Sequence, residues 1–421
     1  MNLKGLSLQE QDEAIEEIAS SLNIPKKYIH YDFTDTPYFV IQDRNYQGNN
    51  RLEDEDRLYI EDFDFKLLKK YTLFFIECDI YVYFCPTCID VDTPHAFRFD
   101  GCVFYDSIVF DYLYLSIQSF IARHCHFLGD VDICFPFEND SCFEYCYFEG
   151  WVNFTNAIFK KDISFYGSTF NRCPNFSKTR FGGNINIINT NLDFDFFQTE
   201  EVIVSKWMED SIDLDIKTHL SFVANDFRDS FRIFKNTLSK EGNLLDASNY
   251  HRVELYCKEI ELDSKNPPIL SREWIDRWQL FFYRHTSDHH TDLLKIISWV
   301  IIAIGIFGFG FFIVKYYQDV SILSYLSPYG VALSLAGMVC LGIFWVMGYI
   351  KKLFLFAGVG LISTLWIACY KPTLIFGAIN LIDKTSRSGL ENFILVLYTL
   401  VMILLLFSLQ KTARKNSIVP S

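Results

Sequence analysis

The chain has 421 residues, a net charge of −14 and 66 Phe or Tyr residues (42 and 24). That length allows two or three domains, and the acidic balance argues against a general nucleic-acid binder. Twelve cysteines lack the spacing of a small disulfide-rich secreted domain, so reduced thiols in a cytosolic setting are expected.

Residues 1–66 hold fifteen Asp/Glu against seven Lys/Arg and are expected to form an acidic region acting as a plug or regulatory segment. The start, MNLKGLSLQEQDEAIEEIASSL, has no basic stretch followed by an apolar one, so no cleavable signal peptide is expected. Asp54 and Asp56 belong to the charge run RLEDEDR, which reads as a solvated loop rather than an acid pair. Cys85 and Cys88 form a lone CPTC. A structural zinc site needs a second pair and a redox site needs a βαβ setting, so buried thiols are the simpler reading.

Between 67 and 198 the sequence carries a ring ladder. Phe148, Phe159, Phe170, Phe181 and Leu192 form one eleven-residue series, with Phe137 extending it backward; Phe143, Phe154, Phe165, Phe176 and Ile187 form the other. An earlier run through Phe99, Phe104, Phe110, Leu115 and Ile121 keeps the same beat, while 121–137 loses register and predicts a bulge or loop. Small residues (Cys102, Ser141, Cys146, Ala157, Ser168, Thr179, Thr190) stand two before many of the rings. Steps alternating between five and six fit neither a helix nor a simple strand; they fit a stacked coil with four short sides, in which each ring stacks on the one about twenty-two residues later. Such a coil makes Phe148, Phe154, Phe159, Phe165, Phe170, Phe176 and Phe181 its structural core.

On that coil Lys160, Lys161, Lys178 and Arg180 fall near one side, with Arg172 near the opposite corner. A basic patch on an acidic chain suits a phosphate-rich ligand, with Tyr166 available to stack a base. Pairing of the same cations with the acidic amino-terminal region, in one subunit or between two, is the simpler alternative.

The small-x-Phe motif over about 97–195 resembles the pentapeptide-repeat family, which implies a right-handed quadrilateral β-helix; the alternating spacing departs from that family's strict five. Residues 199–266 continue as a helical hairpin broken at Gly242–Asn243, with stripes at Phe227, Phe231, Phe234, Leu238 and at Tyr250, Val253, Cys257, Ile260. Residues 267–292 read as an amphipathic connector whose Trp274, Trp278 and Phe282 suit a membrane surface. His285 and His289 have helical i, i+4 spacing beside His290, but solvated interfacial histidines explain them more simply than a metal.

Four apolar stretches follow, 293–314, 330–349, 353–370 and 392–409, each long enough to cross a core of roughly 30 Å at about 1.5 Å per residue. Together 293–410 forms a four-helix transmembrane domain, with 411–421 as a basic tail. Lys351, Lys352, Lys411, Arg414 and Lys415 flank the spans and place both termini in the cytoplasm. Gly305, Gly308 and Gly310 thin the first span, for packing within one subunit or at an intersubunit or pore face. No span carries a mid-bilayer charge, which argues against a proton-coupled transporter or voltage sensor; a pore would be lined by groups such as Ser334, Ser363 and Thr364.

The expected fold is an α+β membrane protein: a cytoplasmic β-helix, a helical hairpin, then four transmembrane helices. No Ser-His-Asp set, phosphate loop or glycine fingerprint is found, so no enzyme, cofactor or metal is expected. The architecture is similar to channel-forming effectors of bacterial anti-phage defence of the Hailong type. That resemblance implies a homotetramer in the inner membrane, held closed by an amino-terminal plug or a short DNA or nucleotide ligand made by a partner enzyme. The alternative is a membrane-tethered scaffold or DNA mimic that binds a protein.

Overall fold

The computed structural model describes residues 6–33, 37–43, 57–64, 67–82, 95–110, 117–191, 194–213, 219–318, 327–370, 375 and 388–416. They divide into two units, Met1–Ile269 and Leu270–Ser421. The expected Cys85, Cys88, Asp54, Asp56, Leu115 and Leu192 positions lie outside the described residues.

The first unit is a β-solenoid. Short parallel strands recur once per coil, so that Phe137 pairs with Phe159 and Phe159 with Phe181 on a first side, and Ser141 with Ile163 and Ile163 with Ile185 on a second. A third side stacks Phe104, Phe127, Phe148 and Phe170, and a fourth stacks Ile108, Val131 and Val152. Inside, rings on successive coils form columns. Phe99–Phe120–Phe143–Phe165 have centroids 5.6, 5.0 and 5.6 Å apart, Phe127–Phe148–Phe170 stand 4.8 Å apart twice, and Phe137–Phe159–Phe181 stand 4.5 and 5.6 Å apart. Phe154 stacks on Phe176 at 5.2 Å. These separations are close to the distance between neighbouring strands, so each hydrogen-bonded coil brings its rings into contact without further adjustment.

Small residues sit beside the rings for a steric reason. Cys102, Ser141, Cys146, Ala157, Ser168 and Thr179 are all buried. Ser168 donates to the Phe143 carbonyl at 2.6 Å and accepts from the Cys146 amide at 2.9 Å, so its hydroxyl is satisfied in the core. One corner of each coil is held in the left-handed region, at Glu77, Gly101, His124, Tyr145, Gly167 and Asn189, all with φ between 51 and 67°.

Three features differ from the sequence reading. No loop interrupts 121–137: Val131–Ile133 and Pro136–Phe137 are strands in register with both neighbours. The apparent phase slip arises because successive coils differ in length, the step from Phe104 to its partner Phe127 being longer than the step from Phe127 to Phe148. The solenoid also begins earlier than 67, because Phe39 pairs with Leu73 and Leu58 with Cys78 in the same sheets. Arg57, at the end of the expected solvated run, is buried; its Nε meets Asp79 at 2.6 Å and its Nη2 the Cys78 and Gly101 carbonyls at 3.1 and 2.7 Å.

Both ends of the coil are covered. Helix α1 (Leu8–Ser21), started by a Ser7–Glu10 capping box, buries Ala14 and Ile18 at the amino-terminal end. After the short α2 (Leu67–Lys70) and the coils come α3 (Phe196–Asp213), α4 (Leu220–Lys240) and α5 (Leu244–Lys265). Phe234 of α4 lies against Phe176 at 4.9 Å and Phe181 at 6.1 Å, closing the other end. Covered ends matter because a solenoid otherwise leaves an apolar cross-section open. Asn243 caps α5 through the Asp246 amide, which is why the hairpin breaks there. Between α4 and α5, burial alone would raise the Glu254 carboxyl, yet hydrogen bonds from His251, Lys235 and Arg232 hold it at about 2.

The second unit holds α6 (Arg272–Ser287) and four helices long and apolar enough to cross a membrane: α7 (Leu293–Gln318), α8 (Pro328–Val346), α9 (Lys352–Tyr370) and α10 (Gly389–Asn416). Side-chain contacts fix their directions. Gly305 meets Gly360 and Gly308 meets Ile367, so α7 and α9 run parallel. Lys315 pairs with Glu391 at 3.0 Å and His290 bonds Ser408 at 3.0 Å, so α10 runs antiparallel to α7. Trp366 bonds Ser334 and Leu341 approaches Gly358, so α8 opposes α9. Lys295, Lys352, Lys411 and Arg414 therefore share one end of the bundle.

Candidate functional site

Folding brings only part of the expected basic group together. Arg180 pairs in register with Ile158 on the first side, and Lys160 and Lys161 follow at the corner after it. Lys160 is already engaged: its Nζ donates to both oxygens of Glu138 at 2.7 Å, and Glu138 stands one coil earlier. Lys178, at a left-handed corner with φ 58°, pairs with Asp226 of α4 at 3.1 Å. Lys161 and Arg180 are exposed and have no acidic partner among the described residues. Two cations of the patch thus find their partners in the solenoid and the hairpin. Lys160–Glu138 was legible as a step of one coil; Lys178–Asp226 was not, because it joins two elements.

Tyr166 stands one side further round the coil. Its hydroxyl accepts from Asn189 Nδ2 at 3.1 Å, and its ring lies edge-on to Tyr145 at 5.3 Å. Tyr145 in turn stacks on His124 at 5.1 Å. This outer aromatic column follows the left-handed corners and was missed because its members stand a whole coil apart and are chemically unlike. Arg172 lies over the Trp151 ring at 5.0 Å. The free cationic character that remains, Lys161 with Arg180, suits one or two phosphates rather than a long polyanion.

In the second unit the expected small-residue positions divide. A Cβ on Gly305 would stand 2.7 Å from the Gly360 Cα, so this glycine serves a helix contact inside the chain, whereas Gly310 faces open space. Ser334 accepts from Trp366 Nε1 at 2.9 Å, and Ser363 and Thr364 donate to the carbonyls of Val359 and Gly360 at 3.2 and 2.8 Å. Between α7, α9 and α10 lies a cavity of about 20 Å³ lined by Ile304, Phe307, Ile367 and Tyr398, roomy for about one water. Helix α8 buries none of its residues.

His285 bonds the Phe281 carbonyl and His290 bonds Ser408, so the histidine cluster is divided between helix and elbow. Among the described residues no group of three or more His, Cys, Asp or Glu is placed to hold a metal ion. No family model, curated protein or solved structure matches this chain.

Proposed function

We propose that the chain is a homo-oligomeric membrane channel or membrane-disrupting effector gated by its β-solenoid domain. In this reading the solenoid is a right-handed quadrilateral coil of the pentapeptide-repeat kind, both termini face the cytoplasm of a bacterium, and the protein serves anti-phage defence without enzymatic chemistry. The observation that carries the reading is in the membrane unit. One copy leaves space for about one water among three packed helices, while no residue of α8 is fully buried and its side away from α9 is exposed. Conduction then requires several copies around a symmetry axis, a tetramer in our reading, with α8 free to meet its neighbour. Lys161 and Arg180 are the best-placed groups for a short oligonucleotide ligand.

Removing residues 1–60 would also delete strands of the solenoid, so gating is better tested by charge reversal. Full-length protein in liposomes is expected to pass ions, with flux changed by a short oligonucleotide and the change lost in Lys161→Glu/Arg180→Glu. An oligomeric, folded protein without conductance under either condition counts against the proposal.

A membrane-tethered scaffold is the second reading. It is favoured by the internal pairing of Lys160 and Lys178, which takes two of the patch's cations out of play for a ligand. Co-purification of one soluble partner, without ion flux, would select it.

A further inference from the structure

A groove of about 830 Å³ runs between α6, α7 and α10. Its walls include Trp278 and Phe282 of α6, Trp299 and Ile306 of α7, and Leu404 and Leu405 of α10. The volume lies in the range of small-molecule sites, about 300–1,000 Å³. We propose that this groove is a binding site for an anionic phospholipid, with an acyl chain between the helices and the phosphate at the basic end of the bundle.

Three observations favour a lipid over a second copy of the chain. The walls are almost wholly apolar but face outward, with Ile306 at 63 % and Trp278 at 51 % exposure. An acyl chain satisfies such walls in a bilayer without any directional partner. Two indoles also frame the groove: Trp299 is fixed by its Nε1 bond to the His285 carbonyl at 2.9 Å, and Trp278 lies edge-on to Phe281 at 5.5 Å. Indoles are enriched where acyl chains give way to headgroups.

Charge supplies the third observation. Arg277 and Arg284 are two helical turns apart on one edge of α6, and the Arg284 guanidinium lies over the Phe281 ring at 5.7 Å. Lys411 lies two turns beyond Leu404 on α10, its Nζ 5.7 Å from the Phe407 ring centroid. These cations flank the groove rather than line it, alongside the acids Glu273, Asp276, Asp288 and Asp292 of the same segment, and a lipid phosphate is opposite to them in charge. Helix α6 is itself locked in place, because Lys295 Nζ donates to the Arg284 carbonyl at 2.9 Å and the Ser287–Ser408 hydroxyls bond at 2.9 Å. The site is therefore held open by contacts the lipid does not make.

The test uses full-length protein in nanodiscs containing phosphatidylglycerol with a photoactivatable acyl chain. Adducts are expected on 275–286, 299–307 and 401–405 in excess over α8, whose apolar surface is equally exposed and serves as control. Unlabelled phosphatidylglycerol should displace them and phosphatidylcholine should not. Ile306→Trp and, independently, Leu404→Trp fill the groove from exposed positions and should abolish the excess. Arg277→Gln/Arg284→Gln should keep the labelling but lower the preference for the anionic lipid by roughly tenfold. Equal labelling of α8 and the groove, equal competition by both lipids, or a cross-link between two copies at Ile306→Cys with the groove unlabelled would each overturn the proposal.

Discussion

The ring of Tyr145 lies against Gly167 of the next coil, so close that a Cβ there would stand 2.7 Å from Tyr145 Cδ1. Gly167 also has φ 67°, where a side chain is strained in any surroundings. Gly167→Ala is expected to lower solenoid stability by about 1–3 kcal/mol in denaturant melts. Adding Tyr145→Ala should recover only part of the loss, since it removes the collision and leaves the backbone strain. Full recovery would show that φ at this corner is unconstrained.

Phe154 touches Phe143, Phe159, Phe165 and Phe176, with centroids between 5.2 and 5.8 Å. Phe154→Ala removes the ring that joins three columns and should cost about 3–5 kcal/mol. Tyr147, 39 % exposed on the outer face, should cost far less on truncation to Ala. Comparable losses for the two would contradict an interior made of stacked rings.

Glu254 gives the α4–α5 hairpin an acid limb. Its pKa falls from 4.5 to about 2, burial being outweighed by bonds from His251, Lys235 and Arg232. A group whose pKa is lower when folded stabilises the fold above its unfolded value. The contribution is therefore complete above about pH 4.5 and is lost as pH falls towards 2. Unfolding followed by fluorescence over this range should show a steeper loss for the native chain than for Glu254→Gln, which should also be less stable at neutral pH. Parallel acid limbs would contradict this assignment.

Gly305 and Gly310 separate the two roles proposed for small residues in the first span. Gly305→Leu forces α7 away from Gly360 and should disrupt the bundle, read as lost thermal stability in detergent. A Cβ added at Gly310 meets no heavy atom from elsewhere among the described residues within 4 Å, so Gly310→Leu should leave the monomer intact; any effect would appear in assembly. Equal damage from both would argue against the α7–α9 contact.

How far the sequence reached can be judged from particular residues. The ladder from Phe137 to Phe181 was legible because one residue type repeats at nearly constant spacing. The earlier coils were obscured. Ile41, Leu73, Ile80 and Ile133 take the places of rings, and coil length drifts, the step from Leu58 to Cys78 being shorter than that from Asp79 to Val103. Arg57 looked solvated because its neighbours are charged, whereas its real environment comes from Asp79 and Gly101, one and two coils later. The four spans were legible from apolar length alone. The contacts that orient them were not, since Gly305–Gly360 and Ser287–Ser408 join positions that no local period connects.

Ion flux through liposomes containing the full-length chain, measured alongside its mass in detergent, tests the proposed function most directly. The account predicts an oligomer with measurable conductance that Gly305→Leu abolishes. A folded monomer that conducts, or a stable oligomer that passes no ions with or without a short oligonucleotide, would contradict it.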